Sequence, residues 1–139
     1  MKTKIITLVA VLLTVSITAQ VPQKMSYQAI IRDSNDALVT NQQIGLRISI
    51  LQGSVNGSEV YKEVYNPKPL TNMNGLITVE IGMGVTETGT FSAIDWSMGP
   101  YFIKTETDPT GSSDYSIINT SQLLSVPYAL HAKTAESIV

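Results

Sequence analysis

Hydrophobic and polar positions alternate through most of this chain, and the alternation is interrupted at clusters of turn residues. Residues 44–50 are the cleanest case, where Ile44, Leu46, Ile48 and Ile50 alternate with Gly45, Arg47 and Ser49. A period of two sends successive side chains to opposite faces, so this segment reads as a half-buried strand with one wet face. Residues 26–32 repeat the pattern, with Tyr27, Ala29 and Ile31 against Ser26, Gln28 and Arg32, and only Ile30 breaks it. Val60, Lys62 and Val64 alternate with Tyr61, Glu63 and Tyr65, and Ile77, Val79 and Ile81 share one face of residues 76–81. Residues 101–107 predict another strand, and a last short one falls within 115–118 or 122–125.

The connections carry turn chemistry. Asp33-Ser34-Asn35-Asp36 suits a turn in which short polar side chains cap their own backbone. Residues 53–58 are rich in glycine and serine, Pro67-Lys68-Pro69 closes a strand because proline cannot donate to a ladder, and Asn74-Gly75 is a tight-turn signal. Asp108-Pro109-Thr110-Gly111 fits a type I turn. Gly82, Gly84 and Gly89 loosen the chain before residue 91. Short strands at near-regular spacing, separated by such turns, predict an all-β fold. The expected form is an antiparallel β-sandwich of about seven strands, prealbumin- or immunoglobulin-like.

The period changes at both ends. Lys2 and Lys4 precede an apolar run from Ile5 to Val15, and Ser16-Ile17-Thr18-Ala19 offers a small residue before a cut. This is the pattern of a secretory signal peptide over 1–19, with Gln20 as the new N-terminus and 20–125 as the sandwich domain. After Pro127, the spacing of Tyr128, Ala132, Ala135 and Val139 predicts a short helix over 126–139, with Lys133 and Glu136 outside its stripe. At about a dozen residues such a helix is marginal alone, so it is expected to meet a protein partner or a second copy.

Composition narrows the function classes. The chain has no cysteine, which excludes disulfides, thiolate metal sites and a cysteine nucleophile. Without Lys2 and Lys4, seven basic side chains stand against eleven acidic ones, a formal charge of about −4. That balance offers no footprint for nucleic acid, and nothing after the signal predicts membrane insertion. The exported chain is expected to be secreted or held at the outer cell surface.

Candidate chemistry is sparse. The only tryptophan, Trp96, and both phenylalanines, Phe91 and Phe102, fall within 91–108. Large aromatics carry the most buried area per residue, so this stretch is expected to anchor the core; the functional alternative is a sugar-stacking platform of Trp96, Tyr101 and Phe102. Asp33, Asn35 and Asp36 could lend oxygens to calcium, with Asp108 and Asp114 from other loops, but an Asx turn explains them as well. His131, the only histidine, has no nucleophile or elbow near it in sequence and reads as a helix surface residue. Gly82-Met83-Gly84 echoes a phosphate loop but lacks the downstream glycine and helix, so it reads as a bend at a strand end. No local pattern pairs any two of Glu80, Glu87, Asp95 and Glu106 as catalytic carboxylates. Asn56-Gly57-Ser58 and Asn119-Thr120-Ser121 match the N-glycosylation pattern and mark surface loops. No enzyme activity and no cofactor are expected.

Several segments carry a family resemblance. Residues 22–33 (Pro-Gln-Lys-Met-Ser-Tyr-Gln-Ala-Ile-Ile-Arg-Asp), 75–82, 91–96 and 99–104 resemble an N-terminal module of secreted proteins of Bacteroidetes-type bacteria. The most distinctive piece is 121–135, Ser-Gln-Leu-Leu-Ser-Val-Pro-Tyr-Ala-Leu-His-Ala-Lys-Thr-Ala. In that family the module commonly precedes collagen-like, coiled or tail-fibre-like regions, sometimes with an endosialidase-type chaperone domain. The resemblance implies a non-catalytic structural or adhesive module of the cell surface, and it carries over no active-site residues. A glycan- or peptide-binding role, through loop aromatics or an exposed edge strand, is the alternative expectation. A weaker likeness, to prealbumin-like sandwiches of bacterial surface proteins, rests on the Thr71–Leu76 hairpin and the Gly-Pro-Tyr strand, and concerns fold alone.

Overall fold

The structure is a computed structural model, and it describes residues 23–124. The expected signal peptide over 1–19 and the expected helix over 126–139 lie outside the described residues. Seven strands follow in order: β1 Met25–Ile30, β2 Gly45–Gln52, β3 Ser58–Val64, β4 Leu76–Ile81, β5 Val85–Thr88, β6 Tyr101–Asp108 and β7 Ile117–Gln122. They form two antiparallel sheets, one of two strands (β1-β4) and one of five in the order β5-β3-β2-β6-β7. The fold is all-β and sandwich-like. Among the described residues no helix is long and apolar enough to cross a membrane.

The period-two pattern explains where the core sits. β2 is the middle strand of the larger sheet, and Ile44, Leu46, Ile48 and Ile50 all point inward with at most 2 % exposure. Ile77, Val79 and Ile81 of β4 face them from the smaller sheet, joined by partly buried Met25, Tyr27 and Ala29 of β1. Each such aliphatic side chain contributes about 1.5–3 kcal/mol by leaving water. Ile30, out of step in the sequence, points outward and is exposed.

The far face of β2 is not wet, contrary to the sequence expectation. Ser49 is fully buried and Leu51 nearly so. Ser49 has Lys62 and Lys104 as its cross-strand neighbours, and long stems of this kind cover backbone while their heads reach water. A central strand flanked on both sides therefore dries on both faces.

The last strand falls between the two expected windows, pairing with β6 from Phe102↔Gln122 to Thr107↔Ile117. β5 has no counterpart in the sequence reading. All four of its residues are exposed, so no burial alternation marked it, and it is specified by pairing with β3.

One expectation is corrected. The only helical segments among the described residues are two three-residue 3-10 turns, Phe91–Ala93 and Trp96–Met98. The reading of a partner or self-association contact through a C-terminal helix bearing Tyr128, Ala132, Ala135 and Val139 is therefore withdrawn, because no such helix occurs among the described residues and these four lie outside them. A stripe that short depends on tertiary packing to become helical.

Candidate functional site

Three carboxylates are buried, and each is met by donors from its own chain. Glu63 lies on the core face of β3, opposite Ile48, and is 0 % exposed. Its Oε1 accepts from the Tyr65 hydroxyl at 2.5 Å and from the Gly82 N–H at 3.1 Å. Its Oε2 accepts from the Tyr61 hydroxyl at 2.8 Å and from the Gly84 N–H at 2.7 Å. The loop Gly82-Met83-Gly84 thus presents its amides to an anion, as phosphate loops do, but the anion is the protein's own side chain. Gly82 has φ +99, a conformation that favours glycine, and a Cβ there would stand 2.9 Å from the Gln23 carbonyl oxygen. Burial pushes both phenols up, with Glu63 adding to it: Tyr61 reaches about 12, eased by a hydrogen bond with Thr86, and Tyr65 lies higher still.

Asp108 ends β6 and is 1 % exposed. Its Oδ1 accepts from the Thr110 N–H at 2.8 Å and the Thr110 hydroxyl at 2.7 Å, and its Oδ2 from the Asp114 N–H at 2.9 Å and from the Ser112 hydroxyl. The Ser112 hydroxyl above all, with the Thr110 and Asp114 donors, holds this carboxyl well below the usual range against the opposing effect of burial. Glu106, on the outer face of the same strand, takes a bidentate pair from Arg47, both bonds at 2.9 Å. Lys104 stands 3.2 Å away and the Arg47 guanidinium lies 4.4 Å from the centre of the Tyr115 ring. The Arg47 bond lowers the Glu106 carboxyl and raises the guanidinium in return.

The aromatic stretch is built differently from the expectation. Phe91 is buried, but Trp96 is 44 % exposed. Edge-to-face contacts run outward from the core, Tyr61 to Phe91 at 5.3 Å, Phe91 to Trp96 at 5.8 Å and Trp96 to Tyr101 at 5.1 Å. Asp95 caps the second 3-10 turn, accepting the Ser97 N–H at 3.0 Å and the Ser97 hydroxyl at 2.6 Å, and these bonds lower its carboxyl. The Tyr101 hydroxyl donates to the Asp95 carbonyl at 2.6 Å, which locks the turn onto β6. The result is a cleft of about 460 Å³ whose walls include Met25, Trp96, Pro100, Tyr101, Leu123 and Leu124. Phe102 does not reach it. It follows Tyr101 in a strand and so lies on the opposite face, opposite Leu51.

The other candidates separate. Asp33 Oδ1 accepts from the Asn35 N–H at 2.8 Å and the Ala37 N–H at 3.0 Å, an Asx turn, while Asp36 lies 3.6 Å from Arg32. Among the described residues no three His, Cys, Asp or Glu side chains gather closely enough to hold a metal ion. Tyr128, His131, Ala132, Ala135 and Val139 lie outside the described residues. Sequence reasoning missed Glu63 as a hub. Its alternation with Tyr61 and Tyr65, together with a Gly-x-Gly bend that lacked a phosphate fingerprint, was the available signal.

Fold and site together define a small all-β module in which buried Glu63 and Asp108 fasten loops to the sandwich. Residues 26–121 match the family described as a domain of unknown function (DUF8740), and the chain belongs to that family. No curated protein and no solved structure matches the chain.

Proposed function

We propose that this chain is an exported, non-catalytic structural or adhesive module of the bacterial cell surface, serving as the head or base unit of a larger surface protein or fibre. One observation carries the reading. Glu63, Glu106 and Asp108, the acids placed where burial could tune them for chemistry, are each occupied by structural donors. An acid or base catalyst needs an oxygen within reach of a substrate, and these have none to spare. The signal-like first nineteen residues and the resemblance to modules of Bacteroidetes-type secreted proteins support export. The sandwich is, on this reading, of the prealbumin-like kind found in bacterial surface proteins.

The experiment is expression in a Bacteroidetes-type host with the natural N-terminus. The expected result is a mature chain beginning at Gln20 in the medium or at the outer surface, accessible to protease added to whole cells. Retention of residues 1–19 with a cytoplasmic location would refute export. Hydrolysis of any member of a glycoside, ester and peptide panel, abolished by Glu63→Gln or Asp108→Asn without unfolding, would refute the non-catalytic role.

A further inference from the structure

A second cleft, of about 450 Å³, opens at the far end of the larger sheet from Trp96. The β2–β6 ladder separates the two, with Gln52 paired to Tyr101 at the Trp96 end and Gly45 paired to Asp108 at this one. The floor is Gly45 and Arg47 of β2. Residues 64–68, where β3 ends, form one wall, residues 112–115 before β7 form the other, and Glu87 of β5 also borders it. Neither described end of the chain reaches this cleft.

The walls are braced by the protein itself. The Lys68 ammonium donates to the Gly111 carbonyl and so ties the first wall to the turn that leads into the second. Asp108 gathers Thr110, Ser112 and Asp114. A Cβ on Gly45 would collide with the Ser112 carbonyl oxygen, so that wall lies directly on the floor. Arg47 is held in its bidentate pair with Glu106, and its guanidinium covers one face of the Tyr115 ring. Two of the three buried acids, Glu106 and Asp108, therefore steady this one cleft. Side chains held in place in advance lose little freedom when a ligand arrives.

The groups left over indicate the ligand. Among the described residues, the side chains of Asn66, Glu87, Ser113 and Tyr115 have no hydrogen-bond or ion-pair partner, and Lys68 makes a single hydrogen bond. They present donors and acceptors together, beside the apolar surfaces of Val64 and Tyr115. A sugar hydroxyl both donates and accepts, and the C–H face of a sugar ring is apolar, so a carbohydrate matches both halves of the lining. A free anion matches it poorly, because the Arg47 fork is spent on Glu106 and Glu87 repels a second negative charge.

We propose that the cleft between residues 64–68 and 112–115 binds a neutral carbohydrate, with Asn66, Glu87, Ser113 and Lys68 reading its hydroxyls and Tyr115 meeting its ring. The Trp96 cleft takes no part in it. The inference goes beyond the proposed role and stands or falls independently of it, since a chain that binds no sugar can still be exported and structural.

The full chain would be titrated with neutral monosaccharides and disaccharides over the millimolar range and followed by amide NMR spectra, with glucuronate and inorganic phosphate as charged probes. At least one neutral sugar is expected to shift the signals of residues 64–68 and 112–115 saturably, while the indole N–H of Trp96, the only tryptophan, stays still. Tyr115→Ala and, separately, Glu87→Ala on the exposed strand β5 are each expected to weaken that binding about tenfold, with the Trp96 signal unmoved to show that the chain stays folded. If Tyr115→Ala unfolds, Glu87→Ala decides. No saturable shift with any neutral sugar would overturn the proposal. So would shifts confined to the indole, which would assign the sugar to the Trp96 cleft. A stronger response to glucuronate or phosphate than to every neutral sugar, or unchanged binding in folded Glu87→Ala, would overturn it as well.

Discussion

The Gly84 N–H donates to Glu63 Oε2 at 2.7 Å, and a Cβ placed on Gly84 would stand 2.7 Å from that same oxygen. The two residues are thus mutually exclusive with any side chain at position 84, and they join β3 to the loop between β4 and β5. Gly82 donates to the same carboxylate from the other side of Met83. A charged acceptor with backbone and phenol donors strengthens each bond beyond a neutral one, which is how a buried charge is tolerated opposite Ile48.

Glu63→Gln keeps the shape but turns one acceptor oxygen into a donor facing N–H and O–H groups. The loss should be about 3 kcal/mol, a large share of the stability of a domain this size. Urea unfolding followed by circular dichroism should show a lower midpoint with an unchanged slope. Gly84→Ala should also destabilise, through the clash with Oε2 and with the Val64 carbonyl, and a midpoint equal to wild type would contradict the geometry.

Acid should attack the outer face and the β6–β7 turn. Glu106 and Asp108 both have folded values below their unfolded ones, so their contribution is complete above about pH 4 and is lost as pH falls through the folded values. Stability measured from pH 7 to 2 should decline from about pH 4 downward. Asp108→Asn should start lower and fall less steeply with acid. An unchanged slope would mean that Asp108 does not couple to folding.

Base should act on the Glu63 cluster. The Tyr61 and Tyr65 phenols are raised above the unfolded value of about 10, so their contribution is complete below that pH and is lost as pH rises toward the folded values. Tyrosinate absorbance should therefore show a late phase near pH 12 that coincides with unfolding. Tyr61→Phe with Tyr65→Phe should remove the late phase; its persistence would assign it to other tyrosines.

The aromatic contacts are unequal in weight. Phe91→Ala should cost about 3–5 kcal/mol because it empties a buried site between Tyr61 and Trp96. Trp96→Ala should cost only about 1–2 kcal/mol, since the indole is half exposed and its loss removes chiefly two edge-to-face contacts. Equal losses from thermal melts would show that Trp96 is buried to the same extent as Phe91.

Local chemistry was legible in the sequence. The alternation of Ile44 to Ile50 determined a strand and its inward face, because strand geometry alone sends every second side chain the same way. Asp33 and Asp108 determined their own turns, because their carboxylates reach only a few residues along the backbone. The tertiary structure decided whatever depended on distant neighbours. It paired the exposed β5 with β3, dried the far face of β2, separated Phe102 from Trp96 and left Trp96 on a cleft. It also brought Glu63 to amides 19 and 21 residues away. A glutamate in an alternating strand looks the same in sequence whether it meets water or a ring of donors, and only the packing of one sheet on the other selects between them.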